Sequence, residues 1–96
     1  MRRGVASDGA SAPGASPFAP PVKRSVTIAG HQTAISLEPI FWQALRAAAV
    51  QADLPVNALI ARIDVARMAV DDPPNLASAI RSWLFARLAG NETLSP

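Results

Sequence analysis

The 96-residue chain has no cysteine and a single histidine. Without thiols there is no disulfide framework, no thiolate metal site and no cysteine nucleophile. With His31 alone, a multi-histidine metal centre is excluded too. Tyrosine is absent, and the large aromatics amount to two Trp and three Phe. No apolar run approaches the roughly 18 residues of a membrane span. Charge is scarce: 17% of residues are charged, and nine Lys/Arg against seven Asp/Glu leave a net +2. That balance is too mild to indicate a nucleic-acid partner by itself. Met1-Arg2-Arg3 is not followed by the apolar stretch of a secretory leader, so the expected location is the cytoplasm. Alanine is abundant, with 20 residues. Half the chain counts as apolar, yet few side chains are large enough to build a core, and one small domain is the upper bound.

Three regions are expected: an arm over residues 1–22, a domain over 23–90 and a C-terminal tail over 91–96. In the arm, 15 of 22 residues are Ala, Gly, Ser or Pro. Such a segment buries too little surface to offset its ordering entropy and is expected to be disordered. Arg2 and Arg3 can track phosphates from it, as flexible arms do; the plainer reading is a solvated leader without a role.

The domain opens with strand signals. Val26 and Ile28 alternate with Ser25 and Thr27, and Ile35 and Leu37 alternate with Ala34 and Ser36. A two-residue turn at Gly30-His31 pairs Ile28 with Thr33 and Val26 with Ile35. That hairpin places Val26, Ile28, Thr33, Ile35 and Leu37 on one face and Ser25, Thr27, Ala34 and Ser36 on the other. Pro39 opens a first helix, with Phe41, Ala44, Leu45, Ala48 and Ala52 on its expected buried face. Leu54-Pro55 interrupts it. A second helix is expected from Pro55 to Ala69, buried through Val56, Leu59, Ile60, Ile63 and Ala66. Asn75 fits the cap of a third helix ending at Ala89, with Gly90 as its stop signal. Leu76, Ile80, Trp83, Leu84 and Leu88 fill that helix's apolar arc, with Arg87 snorkelling near its end. Phe85 falls outside the arc; it is either exposed or meets a second partner.

A strand, two helices and a short turn do not enclose a core alone, and an open strand edge with an apolar inner face calls for a second copy. The order of elements resembles the ribbon-helix-helix family, dimeric DNA-binding regulators that include antitoxins, and within it a group of small bacterial domain proteins. The resemblance runs from about Lys23 to Leu88. It is carried by Lys23-Arg24-Ser25-Val26-Thr27-Ile28 with Gly30-His31, by Thr33-Ala34-Ile35-Ser36-Leu37-Glu38-Pro39 and by Phe41-Trp42. Ala58-Leu59-Ile60, Ile63-Asp64 and Asn75 to Arg81 continue it. The stretch from Gly30 to Trp42 is the specific part; the helix signals alone are weak.

This resemblance implies an α+β fold: a ribbon-helix-helix with an N-terminal hairpin or strand and a third C-terminal helix, assembled as an obligate dimer. It implies double-stranded DNA as partner; the residues themselves, without cysteine and with one histidine, call for no cofactor, metal or catalysis. Gln32, Ala34 and Ser36 match the strand positions that read base edges: Gln32 can bond adenine twice, Ser36 several bases, and Ala34 can touch a thymine methyl. Lys23 and Arg24 match phosphate contacts, as do the free N–H groups near Val56 and Asn57. Ile35, Leu37, Phe41, Leu45, Ile60 and Ile63 are expected in the dimer core. Trp83 and Phe85 are candidates for a second interface, which would make a tetramer. Relatives often carry Arg at the place of Gln32, a hydroxyl at that of Ala34 and a capping Ser at that of Pro55.

A complete hairpin raises a geometric objection. Two copies joined by their strands would form four strands, with outer axes about 14 Å apart at about 4.8 Å per strand. A B-form major groove is about 12 Å wide and takes two strands. The first strand would have to peel away; otherwise the module serves oligomerisation or partner binding rather than DNA reading. Elsewhere the chemistry is thin. His31 lies in an expected turn without a nucleophile, Asp71 and Asp72 read as a solvated loop, and Trp42 and Trp83 read as packing residues. Asp64 can pair with Arg67 on its own helix or with Arg81 on the next.

Overall fold

The computed structural model describes residues 17–94, with side chains described to residue 90. Most of the expected arm, together with Ser95 and Pro96 of the tail, lies outside the described residues. The order is β1 (Val22–Ile28), β2 (His31–Leu37), α1 (Pro39–Ala52), α2 (Val56–Met68) and α3 (Leu76–Leu94). No described helix is long and apolar enough to cross a membrane.

The strands form one antiparallel hairpin, but its turn is Ala29-Gly30 rather than Gly30-His31. Ile28 therefore pairs with His31, Thr27 with Gln32, Val26 with Thr33, Ser25 with Ala34, Arg24 with Ile35, Lys23 with Ser36 and Val22 with Leu37. His31 is the first residue of β2, not a turn residue. Both turn residues have positive φ, 52° at Ala29 and 84° at Gly30. This signature of the tight hairpin turn follows the twist of the strands. A Cβ at Gly30 would meet nothing within 4 Å, so backbone conformation rather than space calls for glycine there. The pairing differs from the expected one by an even step, so every residue keeps its expected face. Val26, Ile28, Ile35 and Leu37 are buried. Thr33 shares their side, yet it stands near the turn and is exposed.

The helices cover the inner face. α2 packs over β1, while α1 and α3 pack over β2. The expectation that one chain cannot enclose its core is thereby corrected. Leu37, Leu45, Ile60 and Ile80 are fully buried within a single chain.

The apolar stripe of α1 is rotated from the expected one. Trp42, Leu45, Ala48 and Ala49 are buried, whereas Ala44 and Ala52 are exposed and Phe41 is half-buried. Burying one Trp removes far more apolar surface from water than burying two Ala, which decides the rotation. The indole Nε1 of Trp42 also donates to the Val22 carbonyl at 2.9 Å, tying α1 to the start of β1. The guanidinium of Arg24 lies 5.5 Å from the Trp42 ring centroid. α1 ends with Asp53 in the left-handed conformation at φ 58°. The Leu54 N–H donates to the Ala49 carbonyl at 2.9 Å and that of Asp53 to the Val50 carbonyl at 3.1 Å. This paired closure normally uses glycine; Asp tolerates it because its short polar side chain can bond locally.

Leu59, Ile60 and Ile63 form the buried face of α2, with Val56 half-buried and Ala66 exposed. Asn75 caps α3, its Oδ1 accepting the Ser78 N–H at 2.8 Å. Gly90 does not stop α3: the helix continues to Leu94, and among the described residues Gly30 is the one glycine with positive φ. Ile80 and Leu84 are buried and Trp83 packs against the core, but Leu88 is 81% exposed. Leu84 is the last buried residue described on α3; beyond it the helix outruns the layer it covers.

Candidate nucleic-acid interface

The outward face of the hairpin follows from strand alternation. With Val26, Ile28, Ile35 and Leu37 turned to the helices, the intervening residues point the other way. These are Lys23, Ser25 and Thr27 on β1 and Gln32, Ala34 and Ser36 on β2. All are exposed except Ser36, which is half-buried. The surface is small and polar, with donors and acceptors from two hydroxyls on β1, an amide and a hydroxyl on β2, and a cation at one corner. Nothing bulky blocks close approach, and the apolar inner face fixes the hairpin beneath it.

Gln32, Ala34 and Ser36 thus share one row, with Lys23 beside Ser36. Arg24 stands on the opposite side of the strand from Lys23, stacked on Trp42. Val56 and Asn57 belong to the first turn of α2. Pro55 precedes that turn and makes no side-chain cap, and the first helical bond runs from the Leu59 N–H to the Pro55 carbonyl at 3.1 Å. The N–H groups of Val56, Asn57 and Ala58 therefore have no intrahelical acceptor and leave a positive helix end.

Of the six residues expected in a dimer core, Ile35, Leu37, Leu45, Ile60 and Ile63 lie in the chain's own core. Phe41 lies partly outside it. With Ile40, Ala44 and Ala48 it lines a groove of about 640 Å³, walled across from α1 by Leu84, Phe85 and Leu88 of α3. Phe85 is 67% exposed. Trp83 packs instead against the core, with the Arg87 guanidinium 5.5 Å from its ring centroid. Arg87 also donates to Gln51 on α1. Sequence reasoning missed this groove, although Phe41, Ala44 and Ala48 at helical spacing on α1 were its legible half.

An ion pair secures the junction after β2. Glu38, which opens α1, accepts a hydrogen bond from Arg81 Nε of α3 at 2.9 Å. Arg81 also lies 5.7 Å from the Phe41 ring centroid. The Arg81 hydrogen bond holds the Glu38 carboxyl below its ordinary range, helped by a bond from its own backbone. Asp64 pairs with Arg67 at 2.7 Å, so an Asp64–Arg81 pair does not form. Among the described residues, no group of three or more His, Cys, Asp or Glu could hold a metal ion.

A family model described as the ribbon-helix-helix domain matches residues 21–88. The chain belongs to the ribbon-helix-helix family. The match spans both strands, α1, α2 and most of α3, so the hairpin and the third helix fall within the family's domain here. Ribbon-helix-helix proteins are in general DNA-binding transcription regulators that typically dimerise, and the fold family is non-enzymatic. No match was found among curated proteins or among solved structures.

Proposed function

We propose that this ribbon-helix-helix protein is a homodimeric transcription regulator, a repressor or antitoxin-like regulator, that lays the outer face of its sheet in the major groove of double-stranded DNA. The observation that carries this reading is the exposed polar row on a hairpin whose other face is anchored by three helices. Gln32, Ala34 and Ser36 read base edges, Lys23 meets a phosphate, and the amides of Val56 and Asn57 hold another. Arg24 serves phosphate binding only if it leaves Trp42. The second copy covers the groove between α1 and α3, where Phe41 and Phe85 present apolar surface at opposite walls. A two-fold contact can set each Phe85 against the small, exposed Ala44 of the other copy.

One observation favours a second reading. The hairpin pairs all seven residues of each strand within one chain. Copies joined through the free edge of β2 would make four strands, with outer axes about 14 Å apart, wider than the groove. Joined that way, the domain would be an assembly module without DNA reading.

A salt titration of binding to duplex DNA separates the two. DNA reading predicts affinity that falls steeply with salt, with one sequence bound about 10³-fold or more above the rest. Weak binding that ignores both salt and sequence leaves the assembly reading. Light scattering tests the groove contact: Phe85→Ser halves the mass if that contact joins the two copies, and an unchanged mass removes it.

A further inference from the structure

Two side-chain hydrogen bonds join α1 to α3, one near each end of the groove between them. At the start of α1, Glu38 meets Arg81. In its last turn, Gln51 meets Arg87. The two bridges differ in charge. Arg81 faces a carboxylate, whereas Arg87 faces a neutral amide and has no carboxylate partner among the described residues. Arg87 is half-buried, with its guanidinium 5.5 Å from the Trp83 ring centroid. The ring and the Gln51 bond hold this cation in place, and its planar fork has further N–H groups to donate. Of the residues lining the groove, only Gln51 and Arg87 are polar. Along α1 the lining includes Ala44, Ala47 and Ala48, which leave room beside Phe41 and Phe85. From Ile40 to Gln51 the α1 side runs for about 16 Å, at about 1.5 Å per residue. The volume of about 640 Å³ is that of a site for a small organic ligand.

We propose that this groove binds a monocarboxylate with an apolar tail, a straight-chain fatty acid of medium length, its tail along the alanines of α1 and its head group on Arg87. Charge complementarity selects the head group. A carboxylate accepts two parallel N–H bonds from one guanidinium and supplies the negative charge that Gln51 lacks. The Gln51 amide can donate to it as well. The apolar tail gains by leaving water along the trough, whereas a second polar group there would be buried without a partner. The second copy, in the reading above, covers the same groove, so ligand and copy exclude each other. A carboxylate that binds only the uncovered groove draws the equilibrium toward separated chains and weakens binding to DNA. That consequence rests on the pairing proposed above; the binding site itself does not.

The test titrates the full chain, without DNA, with decanoate in a calorimeter. Decanol, which has the same tail and no charge, is the comparison. Decanoate should bind at least about tenfold more tightly than decanol, the usual effect of a hydrogen bond to a charged group. Arg87→Gln should lose that tenfold for decanoate and leave decanol unchanged. Ala47→Trp, at an exposed position of the lining, should abolish binding of both. Thermal midpoints matched to the wild type exclude misfolding of either variant. Light scattering follows the copies at the same time, and decanoate should halve the mass. Binding that selects the carboxylate at unchanged mass keeps the site and overturns the groove as the place where the copies join. If decanoate does not bind, or binds Arg87→Gln as tightly as the wild type, the inference is overturned. The pairing is then judged separately, by the mass of Phe85→Ser.

Discussion

The two faces of the hairpin are cut from alternate residues of the same two strands, and they do different work. Inside, Val26, Ile28, Ile35 and Leu37 are large, apolar and buried under the helices. Outside, Lys23, Ser25, Thr27, Gln32, Ala34 and Ser36 are small or polar and mostly exposed. Stability is concentrated on the first set, because it comes from apolar area removed from water. The second set contributes little to the fold and is free to vary with a ligand. Adjacent positions on one strand can therefore answer opposite questions.

Leu37 and Ser36 make the sharpest contrast. Leu37 is 0% exposed at the centre of the core. Leu37→Ala should cost about 2–5 kcal/mol, from lost transfer free energy plus the cavity left behind. Ser36→Ala, one residue away on the other face, should stay within about 0.5 kcal/mol. Urea unfolding of both variants measures the gap. Similar losses would mean that the outer face is also part of the packed structure, and its assignment as a ligand surface would fall.

The division between faces was legible in the sequence because it depends only on parity. The turn sits one residue before the expected Gly30-His31, yet Ile28, Val26, Ile35 and Leu37 still fall on one side, since the two pairings differ by an even step. Parity could not reveal how far the cover extends, so Thr33 has the right face and the wrong burial. Helix faces were less secure. On the Ala-rich α1, many rotations bury similar numbers of apolar residues, and only the size of Trp42 selects among them. The Arg81 partner was also hidden, because Glu38 lies 43 residues away and its contact depends on where α3 crosses α1. Of the candidate interface, the row Gln32, Ala34 and Ser36 was visible in strand alternation. The resemblance matches both Lys23 and Arg24 to phosphate contacts, although strand alternation sets the two on opposite sides. The groove walled by Phe85 was not visible, since it is made by two helices meeting.

The turn that fixes this parity is itself suboptimal. Ala29 is held at φ 52°, a left-handed conformation that costs an L-residue with a Cβ roughly 1–2 kcal/mol. Asn tolerates that conformation and, before Gly30, makes the preferred pair for this turn. Ala29→Asn should therefore stabilise the domain by about 1 kcal/mol, raising the thermal midpoint by about 4–8 °C in a domain of this size. Scanning calorimetry checks it. No gain would indicate that the hairpin turns elsewhere, and the cross-strand pairs Thr27–Gln32 and Ser25–Ala34 would have to be redrawn.

The smallest effect belongs to the clasp that holds α3 against the end of β2. The Arg81 bond to Glu38 favours the ionised carboxylate, so the folded state holds this group below its ordinary value of 4.5. A depressed carboxyl contributes stability that is present above the unfolded-state value and is lost as pH falls through the folded one. Both side chains are partly exposed, 33% at Arg81 and 25% at Glu38, so solvent screens the pair and its worth is modest. Glu38→Gln should lower the thermal midpoint slightly at neutral pH, and the difference from the wild type should shrink as pH drops below 4.5. Arg81→Gln should do the same, and the double variant should be no worse than either single one. A difference that stays constant from neutral to acid pH would show that the carboxylate charge has no part in seating α3, leaving the apolar contacts of Ile80 and Leu84 to hold it.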